Sequence, residues 1–189
     1  MNQWGIFGGS FDPPHRGHIE MAILATDALP LAQLYLVPSF SAPLAKTPPA
    51  ASAQHRLAMV ALVANLRREW DVLSYEVDRQ QQVATVDTVV YLLKQQPHTT
   101  PYLLLGADQV AQIHQWQRWE QLLDLVQVLC FERAGVVLPA ALAARFRMMP
   151  FDSPISSTRV RSQVNQREST ADSLSPEVAE YIREHGLYR

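Results

Sequence analysis

Short apolar runs alternate with longer, helix-length segments along this chain. Gln3–Phe7, Gln33–Val37, Val72–Val77, Tyr102–Leu105 and Val126–Phe131 are rich in Val, Ile, Tyr and Leu. Gly, Pro or polar residues bound them, as expected of buried strands. Between them the pattern predicts helices over about 17–29, 53–69, 85–96 and 108–125. The second contains Leu57–Ala64, an uninterrupted apolar run that suits a helix packed on a sheet. That run is far short of the roughly 20 residues a membrane span needs. Alternation at this spacing predicts an α/β domain with a mostly parallel central sheet and helices on both faces. Two stretches break the rhythm. Pro38 to Pro49 is proline-rich, carries Lys46, and reads as an irregular exposed loop. Residues 166–175 are polar and lead into a last helix, with Ser175 as N-cap, Pro176 at its first position and Gly186 at its C-terminal end.

Composition narrows the class. The 189 residues predict one domain over 1–189, ending in a helical segment from about 156. Hydrophobic residues at 48% against 18% charged exclude intrinsic disorder. A formal net charge of -2 offers no sequence-wide basic field, so neither nucleic acid nor a membrane surface is expected as a partner. The single cysteine, Cys130, stands in the apolar stretch Val128–Phe131 and reads as a buried inert thiol. No metal site built by the protein alone is expected. The N-terminus shows no basic segment followed by an apolar one, so a cytoplasmic protein is expected. A homo-oligomer stays open.

The first strand runs into Gly8-Gly9-Ser10-Phe11-Asp12-Pro13-Pro14-His15-Arg16-Gly17-His18 at the start of a helix. Each part suits a polyphosphate. Gly8 and Gly9 let backbone N–H groups approach phosphate oxygens, and the helix supplies free N–H groups and the positive end of its dipole. His15 and His18, three apart, fall on one side of the first turn, where two imidazoles could donate to charge developing on phosphate. Gly17 between them leaves room for a base or sugar. Read separately, a glycine turn is common in α/β folds and a His pair often decorates a surface. A second anion cradle is Ser156, Ser157 and Thr158 at a helix start, with Arg161 on the same face to reach the β- and γ-phosphates. Read alone, these serines are also an N-cap beside solvated arginines. Asp108, just past the strand ending at Leu105 and Gly106, suits ribose hydroxyls or an N-cap equally.

Taken together, GGSFDPPHRGH resembles the signature of the HxGH nucleotidylyltransferases, specifically the bacterial nicotinate-nucleotide adenylyltransferases. Ile155–Arg161 is similar to the family's ISSTxxR segment, Thr85–Thr88 to its T-x-D-T, and Leu105–Asp108 followed by Trp116 to its G-x-D…W. Tyr181–Arg189 resembles its C-terminus. The resemblance implies a Rossmann-like fold and adenylyl transfer from ATP, with Mg²⁺, to nicotinate mononucleotide in NAD biosynthesis. It implies catalytic roles for His15, His18 and Arg161. ATP contacts are implied at Gly8, Gly9, Ser10, Phe11, Gly17, Gly106, Asp108, Ser156, Ser157 and Thr158, with Arg133 near the adenosine. Acceptor contacts are implied at Lys46, Ala84, Thr85 and Trp116, whose ring would stack on the pyridine while Trp119 packs.

The chain departs from its relatives in two places. Pro43-Leu44-Ala45-Lys46 stands where they have Pro-Pro-His-Lys, and Val83-Ala84 where they often have Ser-Tyr. Helical geometry over 108–125 turns Arg118 away from Trp116, which leaves backbone N–H groups near Ala84 and Thr85 to favour a carboxylate over an amide. His55, His98, His114 and His185 read as surface or packing residues. Two rivals remain: an adenylyltransferase for nicotinamide mononucleotide or phosphopantetheine, and a catalytically silent nucleotide-binding protein.

Overall fold

The structure is a computed structural model and describes residues 3–41, 47–133, 135–136, 138 and 140–189. Six parallel strands form one sheet in the order β3-β2-β1-β4-β5-β6. They are β1 (Gln3–Gly9), β2 (Leu31–Pro38), β3 (Trp70–Val72), β4 (Tyr102–Gly106), β5 (Gln127–Phe131) and β6 (Arg147–Met149). Period-2 alternation divides their side chains between two cores. Phe7, Leu34, Leu36, Leu104, Leu129 and Phe131 face α1 (Arg16–Ala28), α2 (Ala53–Ala64), α8 (Ser157–Asn165) and α9 (Pro176–Glu184). Trp4, Ile6, Leu103, Leu105, Val128 and Cys130 face α4 (Thr85–Gln95), α5 (Ala107–Ala111) and α6 (Trp119–Leu125). Cys130 is a free, buried thiol whose pKa burial pushes up to about 11. No helix among the described residues is long and apolar enough to cross a membrane.

Three expectations about elements are corrected, and one strand, β6, is not among those the pattern predicts. The strand expected over Val72–Val77 ends at Val72, where its pairing with Leu36 ends. The chain then turns into α3 (Tyr75–Arg79), whose first turn carries Glu76 and Asp78 toward the positive end of a helix. The helix expected over 53–69 stops at Ala64, capped by Asn65, because Trp70 must already pair with Leu34. The helix expected over 108–125 is three pieces: α5, a 3₁₀ turn (Ile113–Gln115) and α6, with Arg118 left-handed at φ 53. The edge strand β6 has only three residues paired with β5, too few to leave a periodic signal. His55 and His185 are not isolated either. The His55 Nδ1 lies 3.0 Å from the Tyr181 hydroxyl, and the His185 ring stacks on Tyr181.

This strand order reverses direction between β1 and β4. A crevice opens there at the carboxyl ends of the strands, the usual ligand position in open parallel sheets.

Candidate active site

The crevice holds a cleft of about 550 Å³. Its floor is Ile6, Val37, Leu103 and Leu105, from the three central strands β1, β2 and β4. Gly8, Gly9 and Ser10 rim one side, where a Cβ on Gly8 would meet nothing nearer than Val37 O at 4.0 Å. Ala84 and Thr85 stand opposite at the start of α4, an 11-residue helix that opens without a side-chain cap. Its first N–H groups are therefore available to an anion. Trp116 and Asp108 close the cleft, with Gln82, Gln109, Gln112 and Gln115 along its walls. The Thr88 hydroxyl on this wall is buried without a hydrogen-bond partner.

Trp116 reaches the cleft because the helix expected there is broken. It follows the 3₁₀ turn in extended conformation and donates its N–H to Ile113 O at 2.9 Å. The left-handed Arg118 then swings toward α4 and pairs with Asp87 at 2.5 Å; it does not line the cleft beside Trp116, though a break in the helix rather than helical geometry places it. Asp108 is held by an ion pair with Arg133 across the ends of β4 and β5. Gly106 borders open space, since a Cβ there would touch nothing within 4 Å. Lys46 lies outside the described residues.

A second cluster lies at the start of α1. The His15 and His18 rings stack with centroids 3.7 Å apart and planes inclined by 27°. The His15 N–H donates to His18 Nδ1 at 3.2 Å, so neutral His18 carries its proton on Nε2. Burial holds the pKa of His15 down to about 4. Burial, and next the neighbouring His15, hold His18 well below 6.5. Both imidazoles are neutral at pH 7, each with one ring N–H to offer as a donor. His15 Nδ1 is buried without a partner. The space beside Gly17 is filled rather than left for a ligand: a Cβ would stand 3.0 Å from Ser153 Oγ and 3.2 Å from the His15 ring. Phe11, at φ 46, turns its ring into the core against Phe7 and His18, so its backbone alone can face a ligand.

The second anion motif meets the first in space, 140 residues later in the chain. Ser156 caps α8 by accepting from Arg159 N–H, and Ser157 Oγ donates to Pro13 O at 3.1 Å. Arg161 donates to Asp12 O at 2.7 Å and to Thr158 Oγ1 at 3.3 Å, and lies 3.6 Å from the Asp12 carboxylate.

Sequence reasoning missed three buried charged residues around these clusters: Asp12, Arg56 and Glu76. Asp12 accepts from Ala50 N–H, Ala51 N–H and the Tyr188 hydroxyl. Arg56 donates only to backbone carbonyls, and Glu76 accepts from Phe40 N–H. The available signal was Arg56 itself, a charge immediately before an eight-residue apolar run on a buried helix face.

A family model described as cytidylyltransferase-like matches residues 6–163. A probable nicotinate-nucleotide adenylyltransferase of Bordetella petrii is 36% identical over 201 residues, covering all of both chains. One of Bacillus pumilus is 33% identical over 190 residues, covering 100% of this chain and 99% of its own. The chain belongs to the nicotinate-nucleotide adenylyltransferase family. A solved structure of the Plasmodium falciparum nicotinic acid mononucleotide adenylyltransferase, complexed with NaAD, shares its fold with a TM-score of 0.78. That match is 21% identical and covers 100% of this chain and 98% of the other.

The two adenylyltransferase signatures of this chain meet at the turn after β1, where Ser157 bonds to Pro13 and Arg161 to Asp12. The cleft gathers Gly8, Gly9, Ser10, Ala84, Thr85, Asp108 and Trp116. The imidazole pair, Ser157 and Arg161 gather on the other side of the Gly8–Pro14 turn.

Proposed function

We propose that this chain joins ATP to nicotinate mononucleotide, giving nicotinate adenine dinucleotide and pyrophosphate, with the acceptor's pyridine in the cleft and the triphosphate over the His15–His18 cluster. The observation that carries this reading is the shared turn. The Gly8–Pro14 segment rims the cleft that holds Trp116 through Gly8, Gly9 and Ser10, and meets Arg161 through Asp12.

The chemistry asks for no protein nucleophile or base. A phosphate oxygen of the mononucleotide, already ionised, attacks the α-phosphorus of ATP. The bond from that phosphorus to the β-phosphate oxygen breaks, and pyrophosphate leaves with the electron pair. The protein aligns two anions and stabilises the added charge. His18 donates from Nε2 to the α-phosphate, with its tautomer set by the N–H of His15. Arg161 receives the β- and γ-phosphates in the direction Asp12 and Thr158 give it. The α4 N-terminus accepts the nicotinate carboxylate, and Trp116 stacks on the ring.

Mg²⁺ fits as part of the ATP substrate, where it offsets charge on the leaving phosphates. Among the described residues no three His, Cys, Asp or Glu side chains gather as a metal site. Asp12, beside the cluster, already has its oxygens engaged by two N–H groups, a hydroxyl and Arg161. A cytoplasmic setting belongs to the same reading, since both substrates are metabolites of the cell interior.

Pyrophosphate release from ATP and Mg²⁺ tests it, with nicotinate mononucleotide, nicotinamide mononucleotide and phosphopantetheine supplied separately. Turnover is expected to be highest with the first. Equal efficiency with nicotinamide mononucleotide would remove the carboxylate-selecting role of α4, and release with phosphopantetheine alone would overturn the acceptor.

A further inference from the structure

We propose that Arg56 is a positioning residue for the acceptor: with Asp12 and Glu76 it pins both ends of the 39–51 segment and so sets the geometry of the cleft's lips. The proposal rests on the acceptor reading above and adds residues that do not touch substrate in it.

Arg56 is 1% exposed on the inner face of α2. Its Nε donates to Ala51 O at 3.2 Å, and its Nη1 to Ser10 O at 2.6 Å and Ser39 O at 2.7 Å. Its Nη2 donates to Phe40 O at 2.9 Å. Three separate stretches of chain are thereby tied to one guanidinium: the turn after β1, the exit from β2, and the approach to α2. Among the described residues no carboxylate lies within ion-pair distance of it. Asp12 and Glu76 act on the guanidinium only from beyond ion-pair distance, so burying this cation is costly, and an apolar side chain would pack on α2 without that cost. What only a planar five-donor group supplies is simultaneous capture of diverging carbonyls.

The two carboxylates take the N–H groups of the same segment. Glu76 Oε2 accepts from Phe40 N–H at 3.1 Å, and Glu76 lines the cleft together with Val83. Asp12 accepts from Ala50 N–H at 2.6 Å and Ala51 N–H at 3.0 Å. The result is a continuous hydrogen-bonded path from α2 through Ser39 and Phe40 to Glu76, which shares the cleft wall with Val83 beside the start of α4. Ser10, Ser39, Glu76 and Val83 all line the cleft, on opposite lips. Loss of the guanidinium frees one lip to shift against the other.

The test compares Arg56→Met with the unmutated protein by steady-state pyrophosphate release and by calorimetry with ATP. The acceptor's kcat/KM is expected to fall about 10- to 100-fold, mainly through KM, while the ATP dissociation constant stays within about twofold. A folded Arg56→Met with unchanged acceptor KM overturns the proposal, since loss of stability alone leaves the KM of the folded fraction intact. If circular dichroism shows that variant unfolded, Arg56→Lys and Glu76→Gln decide. Lysine keeps the charge without the fork, and glutamine sets an amide donor against an N–H. Each is expected to raise the acceptor KM, and unchanged values in both overturn the proposal. No turnover of the unmutated protein with nicotinate mononucleotide would instead bring down the acceptor reading and this proposal together.

Discussion

On the proposed placement of the two substrates, the two clusters along the turn after β1 are prepared for their ligands in opposite ways. The acceptor half is an open cleft of about 550 Å³ with an apolar floor, amide side chains on its walls and an uncapped helix start. The phosphate half holds its polar groups against one another: His15 on His18, Arg161 on Asp12, Ser157 on Pro13. The first half is shaped before a ligand arrives, and selectivity there comes from fit and a few backbone donors. The second buries its imidazoles, and a low-dielectric setting of that kind is where electrostatic stabilisation of a transition state acts most strongly. On that placement, binding and chemistry are separated along one turn of chain.

The contrast is tested most sharply at His18. His18→Ala is expected to cut turnover by about 10²–10³-fold with the fold retained, the usual loss for one charge-stabilising donor. Near-normal turnover of purified, folded protein at saturating substrates would place the chemistry elsewhere.

The closed character of the phosphate half also predicts a pH effect on stability. His15 titrates at about 4 when folded and near 6.5 when unfolded. Below pH 6.5 the unfolded chain binds a proton that the folded one refuses, so stability falls as pH drops from 6.5 toward 4. The loss from His15 alone is of order 3 kcal/mol, and His18 adds to it in the same direction. Urea unfolding at pH 7 and pH 4.5 measures it, and His15→Asn should flatten the profile. An unchanged slope in that variant would remove His15 as the cause.

A crossed pair of variants checks the division of labour. Arg161→Ala is expected to weaken ATP by about 1.5–3 kcal/mol, with the acceptor's dissociation constant nearly unmoved. Trp116→Ala is expected to cost about 1–3 kcal/mol in acceptor binding and little in ATP binding. Calorimetry with each ligand separately reads both. Equal losses for both ligands in either variant would mean that the two halves are not separable.

The smallest effect belongs to the exposed Arg118–Asp87 pair, which ties the Trp116 loop to α4. Asp87→Asn is expected to raise the acceptor KM by no more than about fivefold, since exposed pairs contribute about 0–1 kcal/mol. A larger rise would mean that Arg118 itself meets the acceptor.

What was legible in the sequence had a local cause. Four of the five predicted strands and the helices α1, α4 and α9 follow from periodicity and end signals such as Ser175-Pro176. Both anion motifs announce themselves because glycines, hydroxyls and a His pair at helix starts are local patterns. Residues 107–125 show the limit. They contain no Gly or Pro, and every local preference favours one helix. The chain breaks there all the same, to bury Ile113, Leu122 and Leu123 while bringing Trp116 over the cleft. Glu76 was hidden for a similar reason, lying in a stretch that reads as a strand. The sequence by itself determined the class of fold and the two phosphate motifs, because short-range sterics and periodicity encode them. Only the tertiary structure decided that His15 and His18 stack as neutral rings, that Arg161 leans on Asp12, and that Arg56 gathers four carbonyls. These depend on desolvation and on contacts between segments far apart in the chain, which no local pattern records.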